Sequence, residues 1–185
     1  MLKRLFFLLF MLFAGCAQPP SKDIPVVVDD FRLERFLGTW CEIVRTDNTF
    51  QRNLDRVSAN YSLTEEGYIK VVNNAYDVKL QRWRVRTGRA VLAGDSSRGA
   101  LKVSFFGSFY AQYNIIELDR KGYEWALVCG RDKSMFWIIS RKPEMDRAII
   151  DRLLARADSL GFDTSKLLYA GYGGSRNVAN GFSKQ

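Results

Sequence analysis

Between Thr39 and Arg141 the chain runs through eight successive strand-like segments, most of them with apolar side chains at every second residue, and only after Pro143 does the period lengthen to about 3.6. The segments run over about 39–46, 57–64, 68–76, 80–92, 99–106, 110–119, 123–129 and 134–141. Turn-like links such as Glu65-Glu66-Gly67, Asp95-Ser96-Ser97-Arg98-Gly99, Arg120-Lys121-Gly122 and Gly130-Arg131-Asp132-Lys133 separate several of them, which favours an up-and-down antiparallel order. Eight strands in that order close into a barrel able to hold one small ligand. The predicted fold is therefore all-β: an eight-stranded up-and-down antiparallel barrel with a C-terminal α-helix packed on its wall.

Alternation indicates which side chains share a face. Ile69, Val71, Asn73 and Ala75 stand opposite Lys70, and Leu101, Val103 and Phe105 oppose Lys102 and Ser104. In the fourth segment Trp83 and Val85 oppose Arg82, Arg84 and Arg86, so hydrophobicity places Trp83 inside. Trp125, Leu127 and Cys129 share one face opposite Glu124, whereas the sixth and eighth segments are apolar on both sides and leave their inward face open. Ahead of the first strand, Phe31, Leu33, Phe36 and Leu37 are spaced like one helical turn that Gly38 ends. Ile149, Ile150, Leu153, Leu154, Ala157 and Leu160 form a helical stripe, with Arg147, Asp151, Arg152 and Asp158 mostly off it. Pro143 suits the first helical position, Glu144 and Asp146 favour the N-terminal dipole, and Gly161 supplies the stop. A short strand at Leu167-Leu168-Tyr169 is expected to follow.

The chain's ends have a different character. Met1-Leu2-Lys3-Arg4 and the apolar run from Leu5 to Ala14 read as a bacterial secretory signal, too short for the roughly 20 residues of a permanent span. Phe13-Ala14-Gly15-Cys16 resembles the bacterial lipobox, which makes Cys16 the expected lipidation site; the alternative is an incidental thiol beside an ordinary cleavage site. Two or three acyl chains, at about 0.8 kcal/mol per CH₂, anchor a protein firmly without spanning. Ala17 and Gln18 lack the Asp associated with inner-membrane retention, so the expected location is the outer membrane, facing the periplasm. The domain layout is a signal peptide over 1–15, a lipidated tether over 16–30 rich in Pro and polar residues, a barrel domain over 31–170 and a flexible tail over 171–185. At 185 residues there is room for one sizeable domain and no more.

Loss of Lys3 and Arg4 takes the net charge from +8 to +6 (8 − 2), a basicity that suits an anionic membrane surface; nucleic acid is excluded as a partner for an exported protein. The row Lys79, Arg82, Arg84, Arg86 and Arg89 reads as a solvated strand face, with docking to anionic lipid the alternative. Cys41 and Cys129 either bridge in the oxidising periplasm or serve as buried fillers. The chain has no His, which excludes Ser-His-Asp and Cys-His nucleophile systems and His metal sites. No enzyme activity, metal or cofactor is expected; carboxylate chemistry on an inward Glu42 or Glu117 is the one formal exception.

Three blocks carry a family resemblance. Gly38-Thr39-Trp40 with Cys41-Glu42-Ile43, Tyr113-Asn114-Ile115-Ile116-Glu117-Leu118-Asp119, and Trp137-Ile138-Ile139-Ser140-Arg141 occur in the order found in lipocalins. The chain resembles in particular the bacterial outer-membrane lipocalins related to apolipoprotein D, although Tyr is commoner where Cys41 stands. Similarity extends from about Phe36 to Leu168. The resemblance implies that Gly38, Trp40, Asp119 and Arg141 close one end of the barrel, with the Arg141 guanidinium on the Trp40 face. It implies also that Tyr61 and Trp137 face a cavity.

Ligand contact is then expected at the open end and the interior. Interior candidates are Tyr61, Asn73, Trp83, Phe105, Tyr113 and Trp137, for each of which simple core packing is the alternative. The connection Thr46 to Arg56 is the candidate lid, with Phe50 and Leu54 as covers and Arg52 and Arg56 on the rim to meet a carboxylate or phosphate. The expected function is storage or transport of fatty acids or lysophospholipids at the envelope. The rival is an envelope structural or assembly lipoprotein that recognises a protein partner. Whether the chain forms a homodimer is left open.

Overall fold

The computed structural model describes residues 26–172; the signal peptide, Cys16, the first part of the tether and the tail beyond 172 lie outside the described residues. Eight strands appear where the alternation places them: β1 (Gly38–Thr46), β2 (Leu54–Leu63), β3 (Ile69–Asp77), β4 (Arg82–Leu92), β5 (Ala100–Phe106), β6 (Phe109–Leu118), β7 (Trp125–Cys129) and β8 (Phe136–Ser140). Each pairs antiparallel with the next, and β1 pairs with both β2 and β8, which closes the barrel. Closure pairs every strand on both sides, although β4 meets β5 only over Arg89–Leu92 and its residues 82–88 pair with β3 alone.

Along β1 the partner on one side changes. The register of β2 shifts between Asp55 and Ser58, where Arg56 takes the left-handed conformation at φ +48°, and β1–β2 pairing is confined to Gly38–Cys41. The backbone of Val44–Thr46 would lack a partner on that side, and β9 (Leu167–Tyr169) supplies it. Ala170 N–H reaches Ile43 O at 3.0 Å, Gly171 N–H reaches Asp55 Oδ1 at 2.9 Å and Tyr172 donates its hydroxyl to Val57 O at 2.6 Å. Ordered packing thus continues past the expected start of the tail at 171. At the other end it begins before Phe31: Val28 is buried, its N–H bonds Ile115 O, and its carbonyl accepts from Gly99 N–H.

Two apolar clusters share the barrel wall. One fills the inside of the closed end with Phe36, Trp40, Tyr61, Ile69, Val71, Leu101, Ile115 and Val128. The other lies outside, where Ile43, Leu127, Phe136 and Ile138 meet the helix α2 (Arg147–Ser159) through Ile150, Leu153 and Ala157. The face of β7 that carries Leu127 and Cys129 is therefore the helix-covered one, and Ala126 and Val128 point inward. The same double burial explains why β8 is apolar on both sides, with Phe136 and Ile138 under the helix and Ile139 inside. In β6 a register shift between Ile115 and Glu117 interrupts the alternation. Cys41 and Cys129 are both unbridged and lie in the outer cluster; burial pushes both thiols up, Cys129 to about 12.

The helix starts later than Pro143 suggests. Asp146 is its N-cap, accepting from Ala148 N–H at 2.7 Å, so Pro143 and Glu144 precede the helix instead of opening it. An Asp side chain that satisfies an orphan N–H sets the boundary more strongly than a permissive Pro. At the other end Gly161 (φ +83°) donates to Asp158 O and Phe162 to Ala157 O, a Schellman arrangement that delivers the Phe162 ring onto Phe136. Leu153 is fully buried in this contact. Leu153→Ala is expected to destabilise the protein by about 2–5 kcal/mol in urea unfolding, and a loss under about 1 kcal/mol would show that the helix contributes little to the wall.

Candidate functional site

The closed end is built around one arginine. Trp40, 1% exposed, stacks on Phe36 at 4.8 Å and donates Nε1–H to Phe36 O at 2.8 Å, tying β1 to the short helix α1 (Leu33–Phe36). The guanidinium of Arg141 lies 3.9 Å over the Trp40 ring. It donates to Leu37 O (2.9 Å), Thr39 O (3.1 Å), Arg35 O (2.6 Å) and Tyr123 O (3.1 Å), so one side chain satisfies four carbonyls of the floor. Gly38 (φ +93°) makes the turn that brings these carbonyls together. Asp119 orders the β6–β7 turn by accepting from Lys121 and Glu124 N–H. Tyr123, absent from the sequence-derived candidates, is buried here at φ +55°; its hydroxyl accepts from Arg32 N–H and Arg35 lies 4.2 Å over its ring. Gly38, Trp40, Asp119 and Arg141 thus converge on the closed end.

Above that floor lies a cavity of about 460 Å³, open at the far end. Five of the six interior candidates line it: Tyr61, Asn73, Phe105, Tyr113 and Trp137. Tyr61 and Tyr113 face each other at 6.3 Å between rings, and burial raises both phenols, Tyr61 to about 12. Both hydroxyls are therefore protonated donors at any physiological pH. Gly88 on β4 gives Phe105 its place: a Cβ there would come within 2.6 Å of the ring. With only hydrogen at that point, Phe105 lies against the wall and the lumen stays open. Phe50, Phe106, Phe109 and Tyr110 rim the mouth.

Trp83 corrects the sequence reading. The unbroken β3–β4 register pairs Val71 with Gly88, Asn73 with Arg86 and Ala75 with Arg84, and paired residues share a face. The even-numbered residues of β4 therefore point to the lumen, and Trp83 and Val85 point out, 56% and 63% exposed. Arg56 is corrected with it, since its guanidinium sits 4.1 Å over Tyr76 and 5.3 Å over Trp83 on the outer wall. Arg52 is exposed and lines no part of the cavity. The basic row divides likewise: Arg82, Arg84 and Arg86 follow the inner face, whereas Arg89 lies outside over Tyr68 at 3.9 Å. Arg84 pairs with Asp77 at 3.1 Å, and the Leu80 N–H, with Arg84, holds that carboxyl below its ordinary value.

The connection between β1 and β2 folds over the opening through a short 3-10 helix at Thr49–Gln51. Phe50 meets Trp137 at 6.3 Å, as a cover would, and Gln51 fastens it. Gln51 donates Nε2–H to Glu42 Oε2 (2.8 Å), and its Oε1 accepts from Trp137 Nε1 (2.9 Å) and Asn48 Nδ2 (2.9 Å). Glu42 Oε1 pairs with Arg45 Nε at 2.8 Å, and Arg45 donates on to Leu54 O. Burial pushes the Glu42 carboxyl above its ordinary value, opposed by the Arg45 charge and the Gln51 amide. Sequence reading missed Gln51 and Arg45, because each looks like an ordinary polar residue until the loop brings it under the lid.

A family model described as a lipocalin-like domain matches residues 30–171. The chain belongs to this lipocalin family. It is 43% identical over 164 residues to the outer membrane lipoprotein Blc of Escherichia coli K12, covering 89% of this chain and 92% of that one. The Vibrio cholerae lipoprotein of the same name is 39% identical over 159 residues, covering 86% and 92%. Mouse apolipoprotein D is 29% identical over 158 residues, covering 82% and 79%. Among solved structures, insecticyanin from the tobacco hornworm superposes with a TM-score of 0.65 at 20% identity, covering 80% of this lipocalin and 84% of that chain, a likeness of fold. The chain is an envelope lipoprotein of the lipocalin class, and its place is the outer membrane, as for its bacterial relatives.

Proposed function

We propose that this lipocalin is acylated at Cys16 and holds single-chain lipids, fatty acids or lysophospholipids, with the acyl chain in the barrel. The observation that carries this reading is the cavity of about 460 Å³, whose lining contains aromatic and aliphatic side chains and no Lys or Arg. Such a volume falls within the roughly 300–1,000 Å³ of small-ligand sites. A scaffold that only presented its outer surface to a protein would gain nothing from an unfilled interior. Catalysis is no part of the proposal: both Glu42 oxygens are engaged by Arg45 and Gln51, and Glu117 points out to Arg156 at 3.4 Å.

Chain length follows from the energetics. Burying a methylene gives about 0.8 kcal/mol, and association costs at least about 4 kcal/mol, so a micromolar complex (about −8 kcal/mol) asks for about fifteen buried methylenes. The change in intrinsic Trp fluorescence, to which the cavity-lining Trp40 and Trp137 contribute, on titration with fatty acids of increasing length is therefore expected to give affinities that climb steeply between about ten and sixteen carbons and then level off. Absence of binding by every fatty acid and lysophospholipid at micromolar concentration would end this reading.

A further inference from the structure

The cavity lining holds no cation, yet the inner face of β4 carries three arginines that descend from the rim: Arg82, Arg84 and Arg86. Arg84 is taken by Asp77. Arg86, the furthest of the three along β4 from the β3–β4 turn, is exposed and has no acidic partner within 4 Å among the described residues, and its guanidinium lies 5.1 Å over Phe106, one of the rings of the mouth. Its cross-strand partner is Asn73, which lines the cavity and whose Oδ1 is buried with no hydrogen-bond donor among the described residues. A charged donor and an unsatisfied acceptor therefore stand side by side on one face, where the apolar lumen ends.

We propose that Arg86 and Asn73 read the head group of the bound lipid in two parts, Arg86 taking the phosphate and Asn73 Oδ1 accepting from the free glycerol hydroxyl of a lysophospholipid. This rests on the acyl chain occupying the barrel tail-first, the orientation that leaves an anion at the mouth. A guanidinium is suited to phosphate because it offers several donors in one plane, and a buried carbonyl oxygen gains most from a ligand that brings its own O–H. A fatty acid carries the anion without the hydroxyl, and a monoacylglycerol carries hydroxyls without the anion. A diacyl phospholipid lacks the free hydroxyl next to the phosphoglycerol linkage. The pair thus favours the single-chain phospholipid over all three.

The test titrates the chain from residue 16 onward, carrying Cys16→Ser so that no anchor competes, with three probes that share one tail: palmitoyl lysophosphatidylethanolamine, palmitate and monopalmitoylglycerol. Arg86→Ala is expected to weaken the lysophospholipid and palmitate about tenfold, and monopalmitoylglycerol less than about twofold. Asn73→Ala is expected to weaken the lysophospholipid and monopalmitoylglycerol about fivefold and to leave palmitate unchanged. Arg86→Lys should restore part of the loss. Equal losses for all three probes in either variant, or no loss, would overturn the head-group assignment while the container reading stood. Failure of the unsubstituted chain to bind any probe would take both down.

Discussion

Arg141→Ala is expected to lower the melting temperature by roughly 10 °C while leaving the affinity of the folded protein for acyl ligands within about twofold. The side chain supports the floor alone: four carbonyls from Arg35, Leu37, Thr39 and Tyr123 lose their donor together, and the Trp40 face loses its cation. Charged hydrogen bonds contribute about 1.5–3 kcal/mol each and a cation–π contact about 0.5–2 kcal/mol; the contacts share one guanidinium and are not additive, so about 3–4 kcal/mol is the expected total. A domain of this size shifts by about 2–4 °C per kcal/mol. The cavity begins above Trp40, so binding by the surviving folded fraction is not expected to change. A variant with native melting temperature and abolished binding would show that Arg141 belongs to the binding site. Arg141→Lys is expected to recover only part of the stability, because an ammonium cannot reach four carbonyls and stack at once.

Ala59→Trp is expected to have the opposite signature, abolishing binding of long chains at little change in stability. Ala59 lines the cavity and pairs with Trp40 across β1 and β2, so an indole there would occupy the lower lumen without disturbing the outer wall. Space for about four methylenes would be lost, which at about 0.8 kcal/mol each makes about 3 kcal/mol, or a fall of over about 100-fold for a sixteen-carbon chain. A ten-carbon chain reaches less deeply and should lose much less. Undiminished affinity for long chains in this variant would mean that the lipid is held outside the barrel. Together the two substitutions separate what holds the container shut from what gives it capacity.

The eight strands, the helix and its Gly161 stop were legible because each rests on a local rule: period two, period 3.6, or a left-handed position that only a few residues take readily. The floor was legible for a different reason, that Gly38, Trp40 and Arg141 stand in ordered blocks whose resemblance implied their union. Tyr123, Gln51 and Arg45 were not legible, because nothing in their neighbourhood distinguishes them from surface residues. They become part of a site when a loop or turn carries them to partners far away in sequence, as Gln51 is carried to Trp137.

By itself the sequence determined the container: the number of strands, their antiparallel order, the helix on the wall, and the lipocalin family. What only the tertiary structure decided was the sign of β4. Alternation states which residues share a face and never which face is inside, and at an open rim both faces meet water, so Trp83 and Arg86 are equally tolerable on either. Hydrogen-bond register with β3, together with the hydrogen of Gly88 against the Phe105 ring, settles it. That choice turns Trp83 and Arg56 outward and brings Arg86 to the mouth.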